Sequence, residues 1–247
     1  MITITLATQK GGVSKTTTSE ALILGLKRKG LKVLAIDLDS QGNLSNFLNP
    51  EATCDVFDFL DGKTDGRKCI QKDLIAGGPR LAYVPQYFEN NPLTSLKDKL
   101  TKLKLDYDVC VIDTPPAISK VVFAALACSD YVIIPTEASK DSLDGVNQTL
   151  EAIEAVNNNT KSDTKLLGVV IVKYKERFTV HRQFKESLEK TKKFPVFKTT
   201  IRESQAINNA KTYNEDFFGK EYMHANAVQD YRDFVKEVMS KTKLKAK

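Results

Sequence analysis

The stretch Gln9-Lys10-Gly11-Gly12-Val13-Ser14-Lys15-Thr16-Thr17 decides how this chain is read. It follows a short apolar run, Ile2-Thr3-Ile4-Thr5-Leu6-Ala7. It precedes a segment, about residues 15–29, in which Ala21, Leu22, Leu24, Gly25 and Leu26 supply a packed helical side. A glycine-rich turn between strand and helix lets backbone N–H groups close around phosphate oxygens, and the helix N-terminus adds partial positive charge. In that frame Lys15 reaches β- and γ-phosphates, the Thr16 hydroxyl ligates Mg²⁺, and Thr17 bonds the α-phosphate region. The pattern G-x-x-x-x-G-K-[ST] is not met literally, because Gln9 and Ser14 stand at its two glycine positions. If that turn needs positive φ, Ser14 costs about 1 kcal/mol or more.

Two other stretches agree with the loop in type and order. Asp37-Leu38-Asp39-Ser40-Gln41-Gly42-Asn43 follows a second apolar run, Leu31 to Ile36. Val109-Cys110-Val111-Ile112-Asp113-Thr114-Pro115-Pro116 is an apolar strand ending in a carboxylate, the arrangement that holds a Mg²⁺ shell beside a phosphate loop. Further strands are predicted at Arg80–Val84, Tyr107–Ile112, Tyr131–Pro135, Leu166–Val172 and Phe194–Lys198. Helices are predicted at Pro92–Leu103, Ser119–Ala127, Leu143–Val156, Val180–Lys192 and Ala225–Ser240. Strands apolar on both faces and separated by helices imply a mostly parallel β-sheet flanked by helices on both faces. No Gly-, Ser- or Pro-rich linker divides the chain, so 1–247 reads as a single α/β domain, with 239–247 a frayed basic tail. Residues 49–78 read as a surface excursion.

Hydrophobic residues make up 41% of the 247 and charged residues 28%, enough for a sizeable core. No apolar run approaches the roughly 20 residues of a membrane span, and no secretory signal is read at the N-terminus. The net charge of +6 favours polyanionic partners. Cys54, Cys69, Cys110 and Cys128 contain no CxxC pair, and the expected compartment is a reducing cytoplasm. Cys110 and Cys128 read as small buried residues. His181 and His224 are isolated and read as surface histidines.

The three motifs together resemble the ParA/MinD family of P-loop ATPases, and more narrowly its ParA (Soj-like) partition ATPases. Lys10 to Thr17 is similar to the family's deviant Walker A sequence KGGVGKTT, with Ser14 as the departure. Residues 37–43 resemble DxDPQGN with Ser40 in place of proline, and Asp113-Thr114-Pro115-Pro116 resembles its Walker B ending. A looser likeness runs through Pro135-Thr136-Glu137, Gly145 and Thr200-Ile201-Arg202-Glu203-Ser204. The resemblance implies ATP and Mg²⁺ as cofactors and an ATP-sandwiched homodimer. It implies that Lys10 crosses to the partner's phosphates, Asp39 positions the attacking water, Asp113 holds Mg²⁺ through water and Asp37 supports the metal shell. Lys10, Lys15 and Asp39 are thus the expected catalytic residues, and Thr16, Asp37 and Asp113 the metal set. Lys10, Gly11, Gly12, Val13, Ser14, Lys15, Thr16 and Thr17 would bind the nucleotide, with Thr200 and Ile201 toward the base.

The function so implied is DNA partition by a slow ATPase. ATP-bound dimers would bind DNA nonspecifically, associated with the nucleoid, and a ParB-like centromere-binding protein would stimulate hydrolysis and release. Arg202, Lys236, Lys241 and Lys243 are the expected DNA contacts, with Lys245 and Lys247 from the tail and Arg177, His181, Arg182 and Lys185 as a second basic cluster. The phosphate loop begins almost at Met1, so no preceding helix-turn-helix is expected. The alternative is a MinD-like membrane-positioning ATPase, for which Tyr231, Phe234, Val235, Val238 and Met239 would form an apolar membrane face. A third reading is an iron–sulfur carrier or reductase subunit, for which this sequence lacks the paired cysteines; a metabolic enzyme such as a dethiobiotin synthetase or a cobyrinate amidase is a further alternative, the amidase being disfavoured by the compact length. Phe217, Phe218 and Tyr222 fit either C-terminal packing or a partner surface.

Overall fold

In the computed structural model, residues 1–62, 66–103, 106–139 and 141–246 are described. The β-branched run Ile2–Leu6 forms β1, and Val33–Asp37 and Val109–Asp113 form β2 and β4 around it. Leu74–Ile75 is β3, Tyr131–Glu137 β5, Lys165–Tyr174 β6 and Val196–Arg202 β7. They make one sheet in the order β3-β2-β4-β1-β5-β6-β7, every pairing parallel. Successive side chains point to opposite faces. Val33, Ala35, Val109 and Val111 join one core, and Leu34, Ile36, Cys110 and Ile112 the other.

The first core is closed by α1 (Lys15–Lys27) and α10 (Asn226–Thr242). The second is closed by α3 (Val56–Asp61), α4 (Val84–Asn90), α5 (Ser95–Thr101) and α6 (Lys120–Ala127). On that side α7 (Ser142–Thr160) also packs with α6 against β5 and β6. The other α-helices among the described residues are α2 (Asn43–Leu48), α8 (Thr179–Lys190) and α9 (Gln205–Thr212).

The expected mostly parallel sheet with helices on both faces is present, and three local expectations are corrected. Arg80–Val84 is not a strand: Pro79–Tyr83 is a 3-10 turn running into α4, because Pro79 and Pro85 fit helix starts and remove ladder donors. Residues 49–78 are no mere excursion, since they supply edge strand β3 and bury Val56, Phe59 and Leu60. Cys54 and Cys69 form a disulfide across Cα atoms 5.1 Å apart, while Cys110 and Cys128 are free and buried. The tail is ordered further than expected. Met239 and Thr242 are buried in α10, Lys243 turns left-handed, and the Leu244 N–H returns to the Met239 carbonyl at 3.0 Å. Lys247 lies outside the described residues.

Candidate nucleotide site

The strand ends aim the loop and the carboxylates at one point. Register pairs Leu6 with Asp113 and Asp37 with Asp113, so the turn after β1 emerges beside two adjacent carboxylates. Gly12 (φ 76) and Ser14 (φ 53, ψ 29) are both left-handed. Ser14 therefore occupies the backbone region its Cβ disfavours. Its carbonyl accepts from the Thr18 N–H at 2.9 Å and from the Thr18 hydroxyl at 2.8 Å, which locks the first turn of α1.

Asp113 is wholly buried and accepts from the Thr16 hydroxyl at 2.7 Å and the Ser19 hydroxyl at 2.8 Å. The Lys15 ammonium stands 3.9 Å away. Burial raises the Asp113 pKa, and Lys15, Thr16 and Ser19 oppose that shift. Asp37 accepts from the Ser45 N–H and hydroxyl at 2.9 and 2.8 Å and from the Asp39 N–H at 3.0 Å. Burial first, and then the charge of Asp113, pushes its pKa up to about 7. Asp39, nearly buried, is braced by the Gln41 N–H at 3.0 Å. Gly77 closes on this corner so tightly that a Cβ there would lie 2.7 Å from the Asp39 carbonyl oxygen.

A cavity of about 630 Å³ opens over these groups. Lys10 to Thr17 and Asp39 line it, together with Asn46 and Phe47 of α2 and Asn208 and Lys211 of α9. The residues present fit a magnesium nucleotide. The Thr16 hydroxyl is backed by the Asp113 carboxylate, and cations ring the loop. Among the described residues no cluster of three or more His, Cys, Asp or Glu could hold a metal unaided. A bound Mg²⁺ would accordingly draw on Thr16, water and nucleotide oxygens, the way this ion is usually held beside phosphates.

The remaining expected residues fall out as follows. Lys10 donates to the Ser139 hydroxyl at 2.7 Å, within its own chain. Ile201 is core, bordering a small hollow beside Ser14 and Thr17 rather than the large cavity, and Thr200 is half-buried on β7. Arg202 grips Asp230 through Nε at 2.8 Å and Nη2 at 2.6 Å, tying β7 to α10. Lys236 pairs with Asp233 at 2.8 Å, Lys241 lies 5.2 Å from the Phe197 ring centroid, and Lys243 caps α10. In the second basic cluster, Arg182 donates to the Glu176 carbonyl and Lys185 sits over the Tyr174 ring. His181 accepts the Lys175 N–H at 3.1 Å. Sequence reading missed Ser45, Lys173, Lys211, Glu20 and Gly77. Lys173 donates to the Gly12 carbonyl at 2.5 Å and pairs with Glu137 at 2.8 Å. Lys173, Lys211, Glu20 and Gly77 act across long stretches of chain, whereas Ser45 bonds Asp37 from eight residues on and lies just past the 37–43 motif.

Comparison with known proteins agrees with this geometry. A family model described as an AAA domain matches residues 1–166. The chromosome-partitioning ATPase Soj of Thermus thermophilus is 30% identical over 248 residues, covering 96% of this chain and 95% of its own length. The cobyrinic acid a,c-diamide synthase of Mycobacterium smegmatis, solved with bound ADP and magnesium, superposes with TM-score 0.83 at 26% identity, covering 98% of this chain and 96% of that one. A putative plasmid partition protein of Borrelia burgdorferi B31 bound to AMPPNP gives TM-score 0.82 at 25% identity, covering 97% and 99%. Among the described residues no helix is long and apolar enough to cross a membrane. With its phosphate loop, paired aspartates and full-length likeness to Soj, the chain belongs to the ParA/Soj family of P-loop ATPases.

Proposed function

We propose that this chain is an Mg²⁺-dependent ATPase of DNA partition, working as an ATP-bound homodimer on nonspecific DNA in the cytoplasm, associated with the nucleoid. The observation that carries the reading is a cavity lined by Lys10, Lys15, Thr16 and Asp39, with the buried Asp113 carboxylate behind Thr16 and Lys15. Loop N–H groups and Lys15 bind the phosphates, and Asp113 orients the Thr16 hydroxyl. Bound Mg²⁺ would offset charge on the β- and γ-phosphate oxygens. Asp39 accepts a hydrogen bond from the attacking water and aligns it with the γ-phosphate. Lys10 leaves Ser139 and extends its ammonium to the partner subunit's phosphates, where it offsets developing negative charge. Hydrolysis in such a site is chiefly positioning, so turnover stays slow until a ParB-like partner completes it.

The membrane alternative is disfavoured by the burial of its proposed face: Tyr231, Phe234, Val235, Val238 and Met239 all lie in the core against α1 and β7. The diamide synthase shares the fold at 26% identity, whereas the chromosome-partitioning ATPase Soj of Thermus thermophilus matches along the chain at 30%. Light scattering after size exclusion tests the reading. Wild type and Asp39→Ala should run as dimers with Mg-ATP and as monomers with ADP, and only the ATP forms should retain DNA at low salt. A monomer indifferent to nucleotide, without DNA retention, removes the partition mechanism.

A further inference from the structure

The nucleotide cavity holds a cation that the phosphate loop does not account for. Lys211 of α9 places its ammonium 3.0 Å from the Thr17 hydroxyl, a hydrogen bond between residues 194 apart in sequence. The same ammonium stands 3.2 Å from Oε1 of Glu20. Glu20 projects from α1 one turn beyond Thr16, is wholly buried, and borders the cavity. Neither of its carboxylate oxygens finds a partner in good hydrogen-bond geometry, so Lys211 is the countercharge on which it depends. A buried carboxylate left in that state is costly unless a cation stays beside it. Glu20 therefore anchors Lys211 at this wall.

The anchoring leaves the lysine free to do more. An ammonium carries three donors and accepts nothing. Thr17 takes one and Glu20 attracts a second, while the side chain stays 31% exposed on the cavity wall. Thr17 is the third residue of α1, directly after Lys15 and Thr16, so on the nucleotide reading its hydroxyl marks the α-phosphate end of the loop. Resting on the nucleotide reading above, we propose that Lys211 is a nucleotide-contacting residue: its ammonium binds the α-phosphate from the α9 wall, and the buried Glu20 carboxylate holds it in place. The contact differs in kind from those of Lys15 and Lys10. It serves a group common to ATP and ADP, so it sets affinity without distinguishing the two. It also draws α9, and with it Asn208 on the cavity rim, onto the bound nucleotide.

Calorimetric titration of the full chain with Mg-ATP and with Mg-ADP tests this. Lys211→Met should weaken both by a similar factor, about ten- to a hundredfold for a lost charge-assisted hydrogen bond. Lys211→Arg should recover part of that loss. The double variant Glu20→Gln/Lys211→Met removes the stranded carboxylate, so its melting midpoint should return toward wild type while its nucleotide affinity stays low. Three outcomes overturn the proposal: wild-type affinity in Lys211→Met, wild-type affinity restored in the double variant, or a loss confined to ATP. The second would reduce Lys211 to neutralising Glu20, and the third would move the contact to the γ-phosphate. Failure of the wild-type chain to bind either nucleotide would instead overturn the nucleotide reading, and the proposal with it.

Discussion

Ser14 carries a side chain where the loop backbone turns left-handed. The turn is stabilised by its neighbours, since Thr18 bonds the Ser14 carbonyl twice and Lys173 bonds the Gly12 carbonyl. Ser14→Gly should remove the Cβ penalty and raise unfolding free energy by about 0.5–1 kcal/mol, less whatever extra freedom glycine gives the unfolded chain. A urea melt that shifts to lower midpoint would show that no strain is stored there. Glu20 gives a pH signature at the same scale. Burial raises its pKa from 4.5 to about 7, against the opposing pull of Lys211. The unfolded chain therefore releases this proton first, and stability falls as pH rises between about 4.5 and about 7. Glu20→Gln should remove on the order of 2 kcal/mol of that pH-linked loss. The decline due to Asp37, whose pKa is raised in the same direction, should persist. Chemical melts of the nucleotide-free protein from pH 5 to 8 check this, and parallel curves for the two proteins would refute it.

At the scale of elements, the contact between α1 and α10 is set by Gly25. A Cβ there would meet Cγ2 of Val235 at 2.5 Å, so the helices approach only because the glycine lets them. Gly25→Ala gains helix propensity worth about 1 kcal/mol but overpacks the contact, and a net loss of about 1–2 kcal/mol is expected in a thermal or urea melt. Val235→Ala added to it should restore much of the loss, which a purely propensity-based effect would not allow. The end of α10 gives a second check. Removing residues after Leu244, of which Lys245 and Ala246 are exposed, should leave the melt unchanged within about 0.5 kcal/mol. Removing those after Val238 deletes buried Met239 and Thr242 and should cost 2 kcal/mol or more, roughly the cost of emptying a core position.

For the whole molecule, the electrostatic question is where DNA phosphates meet a chain of net charge +6. Arg202 is committed to Asp230 and Lys236 to Asp233, so Lys241 and Lys243 are the less constrained cations of the proposed set. If both touch phosphate, Lys241→Gln/Lys243→Gln should lower the log–log salt slope of DNA retention by about two, with the thermal midpoint held. An unchanged slope would place the DNA face elsewhere, with the Arg177–Lys185 region next to be tested.

Much of this protein is decided within short stretches of chain. The loop from Lys10 to Thr17, the carboxylates ending β2 and β4, and the alternation of apolar strands with helices are local patterns, because phosphate binding and parallel pairing both impose short-range demands on residue type. These alone placed the chain in its family and marked Lys15, Thr16, Asp37, Asp39 and Asp113 as one site. What they could not decide depends on which distant segments meet. Gly77 closes on Asp37 and donates its N–H to the Ser45 hydroxyl only once β3 joins the sheet edge. An apolar stripe like that of α10 suits a core or a membrane, and its packing on α1 and β7 made it core. Arg202 at the end of β7 is tied up by Asp230 from α10, 28 residues on. Lys211 and Glu20 carry no motif at all: burial makes their charges interdependent, and burial is a property of the folded whole.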